Sequence, residues 1–246
     1  MSEAPRFSLV IPAYNEARWL PPLLDTVDRA REACSHGAAA VEVIVGDNAS
    51  TDRTAEIARA RGCRVAHVET RTIAAARNGG ARIARGEILM FVDADSLVHP
   101  GTFDAVDRAL ASGRVVGGAS GVTSERWSAG IVATWAFMLP MVWLTGMDTG
   151  VVFCRREDFV AVGGYDERRR FAEDVMFLLA LRRLGRRRGQ RLTRLRRVKA
   201  VTSTRKFDDH GDWHYFTGVL MLPLASVLRP RSTARRVARY WYEPDR

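Results

Sequence analysis

Ile88-Leu89-Met90-Phe91-Val92-Asp93-Ala94-Asp95 is the most apolar strand-length run in the chain, and it leads straight into two alternate carboxylates. Five bulky apolar residues without polar alternation mark a strand buried on both faces, as in a parallel sheet covered by helices. The preceding sequence repeats the theme. Phe7-Ser8-Leu9-Val10-Ile11 reads as a strand stopped by Pro12, and Val41-Glu42-Val43-Ile44-Val45 as a second, ended by Gly46-Asp47. Between them, from Trp19 to about Ala33, Leu20, Leu23, Leu24 and Val27 recur at helical spacing, with Pro21 tolerated in a first turn. Asp52 suits a helix start, and Thr54 to Arg61 continues as helix. Arg64 to Val68 fits a short strand and Ile73 to Arg82 an alanine-rich helix. Alternating strands and helices predict an α/β fold with a mostly parallel, Rossmann-like sheet and helices on both faces. Ligands of such sheets gather outside the carboxyl ends of the strands. The polar clusters Ala13-Tyr14-Asn15-Glu16, Asp47-Asn48 and Asp93-Ala94-Asp95 all fall at those ends.

The chain has 246 residues, 47% of them hydrophobic, with no Ser/Gly/Pro linker and no internal repeat. One large domain, 1–246, with a less regular C-terminal part is the simplest organisation. Cys34, Cys63 and Cys154 are few, odd in number and widely spaced, which argues against a disulfide framework and for a reducing compartment. The N-terminus lacks the basic and apolar regions of a signal peptide, so a cytoplasmic location is expected. The formal charge of +10 is almost wholly arginine, much of it between Arg182 and Arg197. Such a block fits either an anionic partner, whether membrane headgroups or a phosphorylated acceptor, or a solvated face. Nucleic acid is the weakest partner, since no aromatic-studded strand or zinc-finger spacing accompanies the arginines. Two apolar stretches, Ile131 to Met147 and Tyr215 to Leu228, each contain Pro and Gly and are too interrupted for a membrane span. A buried helix is the commoner outcome for each. Their tryptophans also suit peripheral contact with the inner membrane face.

Asp93 and Asp95 repel when both are ionised unless a cation sits beside them. Mg2+ and Mn2+ take carboxylate oxygens together with substrate phosphates, so the pair suits a metal–diphosphate site; a turn with a capping Asp explains the same triplet. Asp47 can accept the imide N–H of a pyrimidine, Tyr14 can offer a ring face or hydroxyl to the same base, and Glu16 can accept from a ribose hydroxyl. Arg77 can reach a base or phosphate, or form a surface salt bridge.

Taken together these segments resemble the successive motifs of family 2 glycosyltransferases with the GT-A fold. The match runs through Pro12-Ala13-Tyr14-Asn15-Glu16, Asp47-Asn48-Ala49-Ser50-Thr51-Asp52, Ala76-Arg77-Asn78-Gly79-Gly80 and Phe91-Val92-Asp93-Ala94-Asp95-Ser96. It continues through Gly163-Gly164-Tyr165-Asp166-Glu167 and Ala172-Glu173-Asp174-Val175, spanning about Phe7 to Phe177 in order. The resemblance implies a nucleotide-binding half at about 1–120 and an acceptor-binding half at about 121–246. It implies that Pro12, Tyr14, Glu16, Asp47, Arg77 and Asp93 line a nucleotide-sugar pocket, UDP-linked by preference. Asp95 would be the principal ligand of Mg2+ or Mn2+, and Asp174 of the Glu173–Asp174 pair the base of an inverting transfer. Adjacent helical residues point in different directions, so only one of that pair need enter the site. Gly163, Gly164 and Tyr165 would shape the acceptor side, for a saccharide, lipid-linked or small-molecule acceptor. Beyond Phe177 the resemblance thins. Arg205 and Lys206 are similar to residues near the diphosphate in small bacterial members, and His210 is a candidate metal ligand as well as an ordinary loop histidine. The Gln-x-x-Arg-Trp element of processive synthases is absent, which implies a non-processive enzyme. Three alternatives stay open: a retaining GT-A transfer, a nucleotidyltransferase on the same fold, and a non-catalytic basic membrane-surface adaptor. The second is disfavoured because Pro-Ala-Tyr-Asn-Glu stands where a Gly-rich phosphate loop would follow the first strand.

Overall fold

The computed structural model describes residues 4–145, 150–169 and 172–213. The apolar stretch Tyr215 to Leu228, and Met147 at the end of the other, lie outside the described residues. The chain divides into two compact units, one of Met1–Thr123 with Gly146–Thr202 and the other of Ser124–Thr145 with Ser203–Arg246. In chain order the elements begin β1 (Phe7–Ala13), α1 (Leu20–Glu32), β2 (Val41–Asp47), α2 (Thr54–Ala60), β3 (Arg64–His67), α3 (Ile73–Ile83) and β4 (Ile88–Phe91). They continue with β5 (Ser96–Leu97), α4 (Thr102–Ala111), β6 (Val115–Ala119), β7 (Val122–Ser124), α5 (Ala129–Thr145) and β8 (Val152–Arg155). The last are α6 (Arg156–Ala161), α7 (Glu173–Arg187), β9 (Arg191–Arg194), β10 (Ala200–Thr202) and α8 (Arg205–His210).

In the first unit a seven-stranded sheet runs in the order β3-β2-β1-β4-β8-β6-β9. Its strands are parallel except β8, which lies antiparallel between β4 and β6. The near-continuous apolar strands put side chains into two buried clusters, one for each face. One cluster joins Phe7, Leu9 and Ile11 to Leu20, Leu23, Phe103 and Val106 of α1 and α4. The other joins Val10, Leu89 and Phe91 to Ala74, Phe159, Tyr165, Phe177 and Leu181. Burial of each large aliphatic or aromatic side chain stabilises by about 1.5–3 kcal/mol. A second, three-stranded sheet, β5-β10-β7, lies just past the end of β4.

Pro12 does not stop β1, which continues to Ala13. Val10 O accepts from Val92 N at 3.1 Å, so residues of that parity face β4, and the ladder with β4 ends there. The missing N–H of Pro12 therefore falls beyond the last β4 bond and leaves none broken. Ala13 has the other parity and still bonds the β2 side, its O accepting from Asn48 N at 2.8 Å. The helix after β2 starts at Thr54, with Asp52 Oδ1 accepting from its N–H at 2.9 Å. α3 is laid closely on β2: a Cβ on Gly46 would stand 2.2 Å from Ala76 O. That contact is open only to glycine, and it carries the face Ala74–Arg77 inward. β9 is an edge strand, and the arginine-rich stretch surrounds it: Arg186 and Arg187 end α7, and Arg191 and Arg194 lie on β9. Cations suit a helix C-terminus, and charges on an edge strand discourage pairing with another chain, which gives much of this stretch a structural reason.

In the second unit α5 is apolar and its described side chains are mixed in burial: Ile131 and Thr134 are buried, while Val132 and Phe137, with Trp127 just ahead of the helix, are more than half exposed. Among the described residues no helix is long and apolar enough to cross a membrane. Arg126 holds Asp208 and Asp212 at 2.5 and 2.7 Å, tying α8 within this unit.

Candidate active site

The carboxyl ends of β1, β2, β3 and β4 form one rim, and the loops leaving the first three are hydrogen-bonded to one another. Asn15, at φ 54, accepts at Oδ1 from Thr51 N at 2.8 Å, and its own N–H donates to Ser50 Oγ at 3.0 Å. Glu16 N donates to Thr54 Oγ1 at 2.8 Å and Ala17 N to Asp52 Oδ2 at 3.0 Å. The loops after β1 and β2 are thus stitched together by Asn15, Ser50, Asp52 and Thr54. Left-handed φ is tolerable for Asn because its short amide can bond locally.

Asp47 is buried at the end of β2, with Oδ1 accepting from Ser50 N at 3.3 Å and Oδ2 3.2 Å from His67 Nδ1. Tyr14 is half-buried, and the Arg71 guanidinium lies 4.6 Å above its ring. His67 and Arg71 were not among the residues singled out from sequence. His67 ends a strand paired with β2, in register with Asp47, and that pairing is the signal that would have found it. Arg71 leaves no sequence signal, because its place over Tyr14 is fixed by the turn between β3 and Thr72, the cap of α3.

The strongest electrostatic feature lies just inside the rim. Arg77 is only 4% exposed and binds three carboxylates: Nη2 to Asp93 at 2.8 Å, and Nη1 to Glu173 at 3.1 Å and Asp174 at 2.6 Å. This placement is not a surface salt bridge: Arg77 forms an ionic hub around a buried guanidinium, because α3 packs so tightly that its Arg77 face turns inward. Glu173 and Asp174 also depart from expectation, since both converge on one nitrogen. They are the first two residues of α7, entered through Ala172 at φ 55, where the longer Glu side chain reaches back beside Asp.

Burial raises the Asp174 carboxyl to about 6, with Arg77 pulling it down and Asp93 and Glu173 pushing it up. Three carboxyls share one guanidinium, so the cluster remains short of positive charge. Tyr165 lies beneath Arg77, its ring centroid 5.1 Å from the guanidinium carbon. It is 2% exposed and stacks on Phe177 at 4.3 Å, with Phe91 edge-on at 5.1 Å. The ring expected on the acceptor side is therefore a core ring, and burial pushes its hydroxyl pKa up. Asn78 fixes this segment: its Nδ2 donates to Tyr165 O and to Glu167 Oε1, both at 2.8 Å, and its Oδ1 accepts from Tyr165 N at 2.9 Å. Gly164 sits at φ 70 against Asn78, which suits only glycine.

Asp95 stands half-buried two residues beyond Asp93, just ahead of β5. Among the described residues no group of three or more His, Cys, Asp or Glu could enclose a metal ion by itself. Asp95 offers one carboxylate of the kind that Mg2+ or Mn2+ takes together with water and phosphate oxygens. Arg205 and His210 lie at the two ends of α8 in the second unit. Pro12 is buried in β1, and Gly163, at φ 81, follows α6.

Comparison with known proteins matches this arrangement. The chain belongs to glycosyl transferase family 2, whose family model matches residues 8–140. Validoxylamine A glucosyltransferase of Streptomyces hygroscopicus subsp. jinggangensis is 37% identical over 105 residues, 40% of this chain and 24% of that relative. The chain thus matches about a quarter of the length of this curated relative. The mannosyltransferase PcManGT of Pyrobaculum calidifontis, solved with GDP-Man and Mn2+, shares the fold with a TM-score of 0.62 and 23% identity, over 80% of this chain and 56% of that one. Glucosyl-3-phosphoglycerate synthase of Mycobacterium tuberculosis, solved with Mn2+, UDP and phosphoglyceric acid, gives a TM-score of 0.55 and 22% identity, over 89% and 78% respectively. The fold is accordingly the α/β GT-A arrangement that the motif series implied.

Proposed function

We propose that this protein transfers a glycosyl group from a nucleoside diphosphate sugar, UDP-linked by preference, to an acceptor hydroxyl, with inversion and one residue at a time. One observation carries the reading: the buried guanidinium of Arg77 joins Asp93, a half-exposed carboxylate at the donor-side strand end, directly to Asp174, a carboxyl raised toward neutrality. Family membership, and neighbours of the same fold holding UDP or GDP-Man with Mn2+, support it.

In this reading Asp47 accepts from the base N–H, Tyr14 and Arg71 cover the base, and Glu16 and Asp93 accept from the ribose. Pro12 shapes the floor of the pocket. Asp95 holds the divalent cation. When bound, the cation supplies positive charge to the leaving diphosphate. Asp174 takes the acceptor proton as the new O–C1 bond forms and the C1–O bond to phosphate breaks. A carboxyl near 6 suits that task, since a base works best when its pKa approaches the operating pH. Gly163, Gly164 and Tyr165 support the acceptor side from beneath. We also assign peripheral attachment to an anionic membrane face, from the exposed aromatics of the second unit and the arginines around β9.

The test is a pair of variants. Asp174→Asn should lose turnover while keeping Mn2+-dependent UDP binding by calorimetry, and Asp95→Ala should lose both. Full turnover in either variant would defeat the assignment, and product NMR of the anomeric proton decides inversion.

A further inference from the structure

Two segments far apart in sequence supply the three partners of Arg77: the end of β4 through Asp93, and the start of α7 through Glu173 and Asp174. The arrangement is a poor device for stability. A buried ion pair is commonly no better than well-packed apolar groups, and here one buried cation faces two largely buried carboxyls and a third, Asp93, that is open to solvent. Arg77 Nε and the Tyr165 hydroxyl below it are buried without a hydrogen-bond partner, which costs further. Ala172, a residue with a Cβ, holds a left-handed turn immediately before the pair, at about 1–2 kcal/mol. Strain and crowded charge of this kind persist where geometry matters more than stability.

We propose that Arg77 is the positioning residue of the base: one guanidinium fixes the Glu173–Asp174 start of α7 to the strand end that carries Asp93. The inference rests on the reading of Asp174 as the base. The planar fork makes this possible, because Nη1 serves α7 while Nη2 serves Asp93 in a fixed relative direction. A lysine ammonium in the same place is a point charge without that geometry. Donor contact at Asp93 and proton transfer at Asp174 are then registered through a single side chain. The groups facing Asp174 are Arg77 of α3, Asp93 beyond β4, Glu173 of α7 and the neutral Tyr165 hydroxyl, with the neutral Cys154 thiol of β8 next to Tyr165. Arg77 is the only cation in that set, so its removal leaves Asp174 harder to ionise.

The experiment uses the full chain as Arg77→Gln and Arg77→Lys, beside Asp174→Asn. UDP affinity with Mn2+ is measured by calorimetry, and UDP release from a panel of sugar nucleotides gives turnover against pH. Carboxyl carbon NMR follows the titration of Asp174, assigned by its loss in Asp174→Asn. Arg77→Gln should lower kcat by about 100-fold or more, the scale of a misplaced catalytic group. UDP affinity should stay within about threefold, less than 1 kcal/mol. The Asp174 titration and the acid limb of the profile should move to higher pH, and Arg77→Lys should restore part of kcat. Loss of UDP affinity in step with kcat would make Arg77 a donor ligand instead, and an unmoved Asp174 titration would overturn the proposal outright. Failure of the base reading shows separately, as parental turnover in Asp174→Asn. If Arg77→Gln does not fold, Glu173→Gln replaces it: relieved of one neighbouring charge, Asp174 should titrate at lower pH with UDP affinity unchanged, and an unmoved titration again overturns the proposal.

Discussion

Replacing Asp174 by Asn removes an ionisable carboxyl from the Arg77 cluster while keeping its size and an oxygen that can accept from Nη1. The ordinary value of 3.8 is raised to about 6 in the folded chain, chiefly by burial. Below 3.8 the group is protonated whether the chain is folded or not, and it costs nothing. As pH rises toward 6 the unfolded chain loses this proton first, so the folded state binds more protons and stability falls with pH. Above 6 the loss is complete. At about 1.36 kcal/mol per pKa unit its ceiling is about 3 kcal/mol. Part of this is offset in the variant, because Arg77 keeps only Glu173 and Asp93 as charged partners. A net gain of about 1–2 kcal/mol at pH 8 remains, or a rise in Tm of about 2–8 °C for a chain of this size. Thermal unfolding of parent and variant in EDTA, at pH 4.5 and pH 8, checks it. The inactive variant should be the more stable at pH 8, and its advantage should shrink to about a third at pH 4.5, where only that share of the loss has developed. A variant less stable at pH 8, or a difference independent of pH, would refute this account of Asp174.

Gly164→Ala should lower stability by about 1–3 kcal/mol, since it forces a Cβ into a left-handed turn and to 2.8 Å from Asn78 Oδ1; an unchanged melting temperature would contradict the packing described. Arg71→Ala should weaken UDP binding by about 0.5–1 kcal/mol, the worth of an exposed cation over the face of the bound base, and calorimetry decides it. In co-sedimentation with vesicles containing phosphatidylglycerol, the parent should bind in a salt-sensitive manner and Trp127→Ala with Phe137→Ala should bind less. Equal recovery with neutral vesicles would remove the anionic component of the proposed attachment.

Much of the candidate site was legible before any coordinates because strand ends in a parallel sheet share a rim. Once Phe7–Ile11, Val41–Val45 and Ile88–Val92 are read as buried strands, Tyr14, Asp47 and Asp93 must fall on one side of the sheet. Apolar continuity is a local property, and it survives into the fold unchanged. What is not local was misjudged. Pro12 reads as a terminator by its own chemistry, yet the end of the β4 ladder one pair earlier makes it harmless. Tyr165 is expected on the acceptor side with its two glycines, yet Asn78, 87 residues away, draws its backbone in and seats the ring against Phe91 and Phe177.

By itself the sequence determined the α/β alternation, the parallel sheet, the rim of polar strand ends and the motif order that marks the family. These follow from hydrophobic periodicity and from residue types at fixed short spacings. The tertiary structure alone decided which charges meet. Arg77 shows no feature in sequence that separates a surface arginine from a buried one; the close packing of α3 on Gly46 turns it inward, and the left-handed turn at Ala172 brings Glu173 and Asp174 to the same nitrogen. An ionic hub assembled from segments separated by 16 and 97 positions depends on packing distances, which no local pattern encodes.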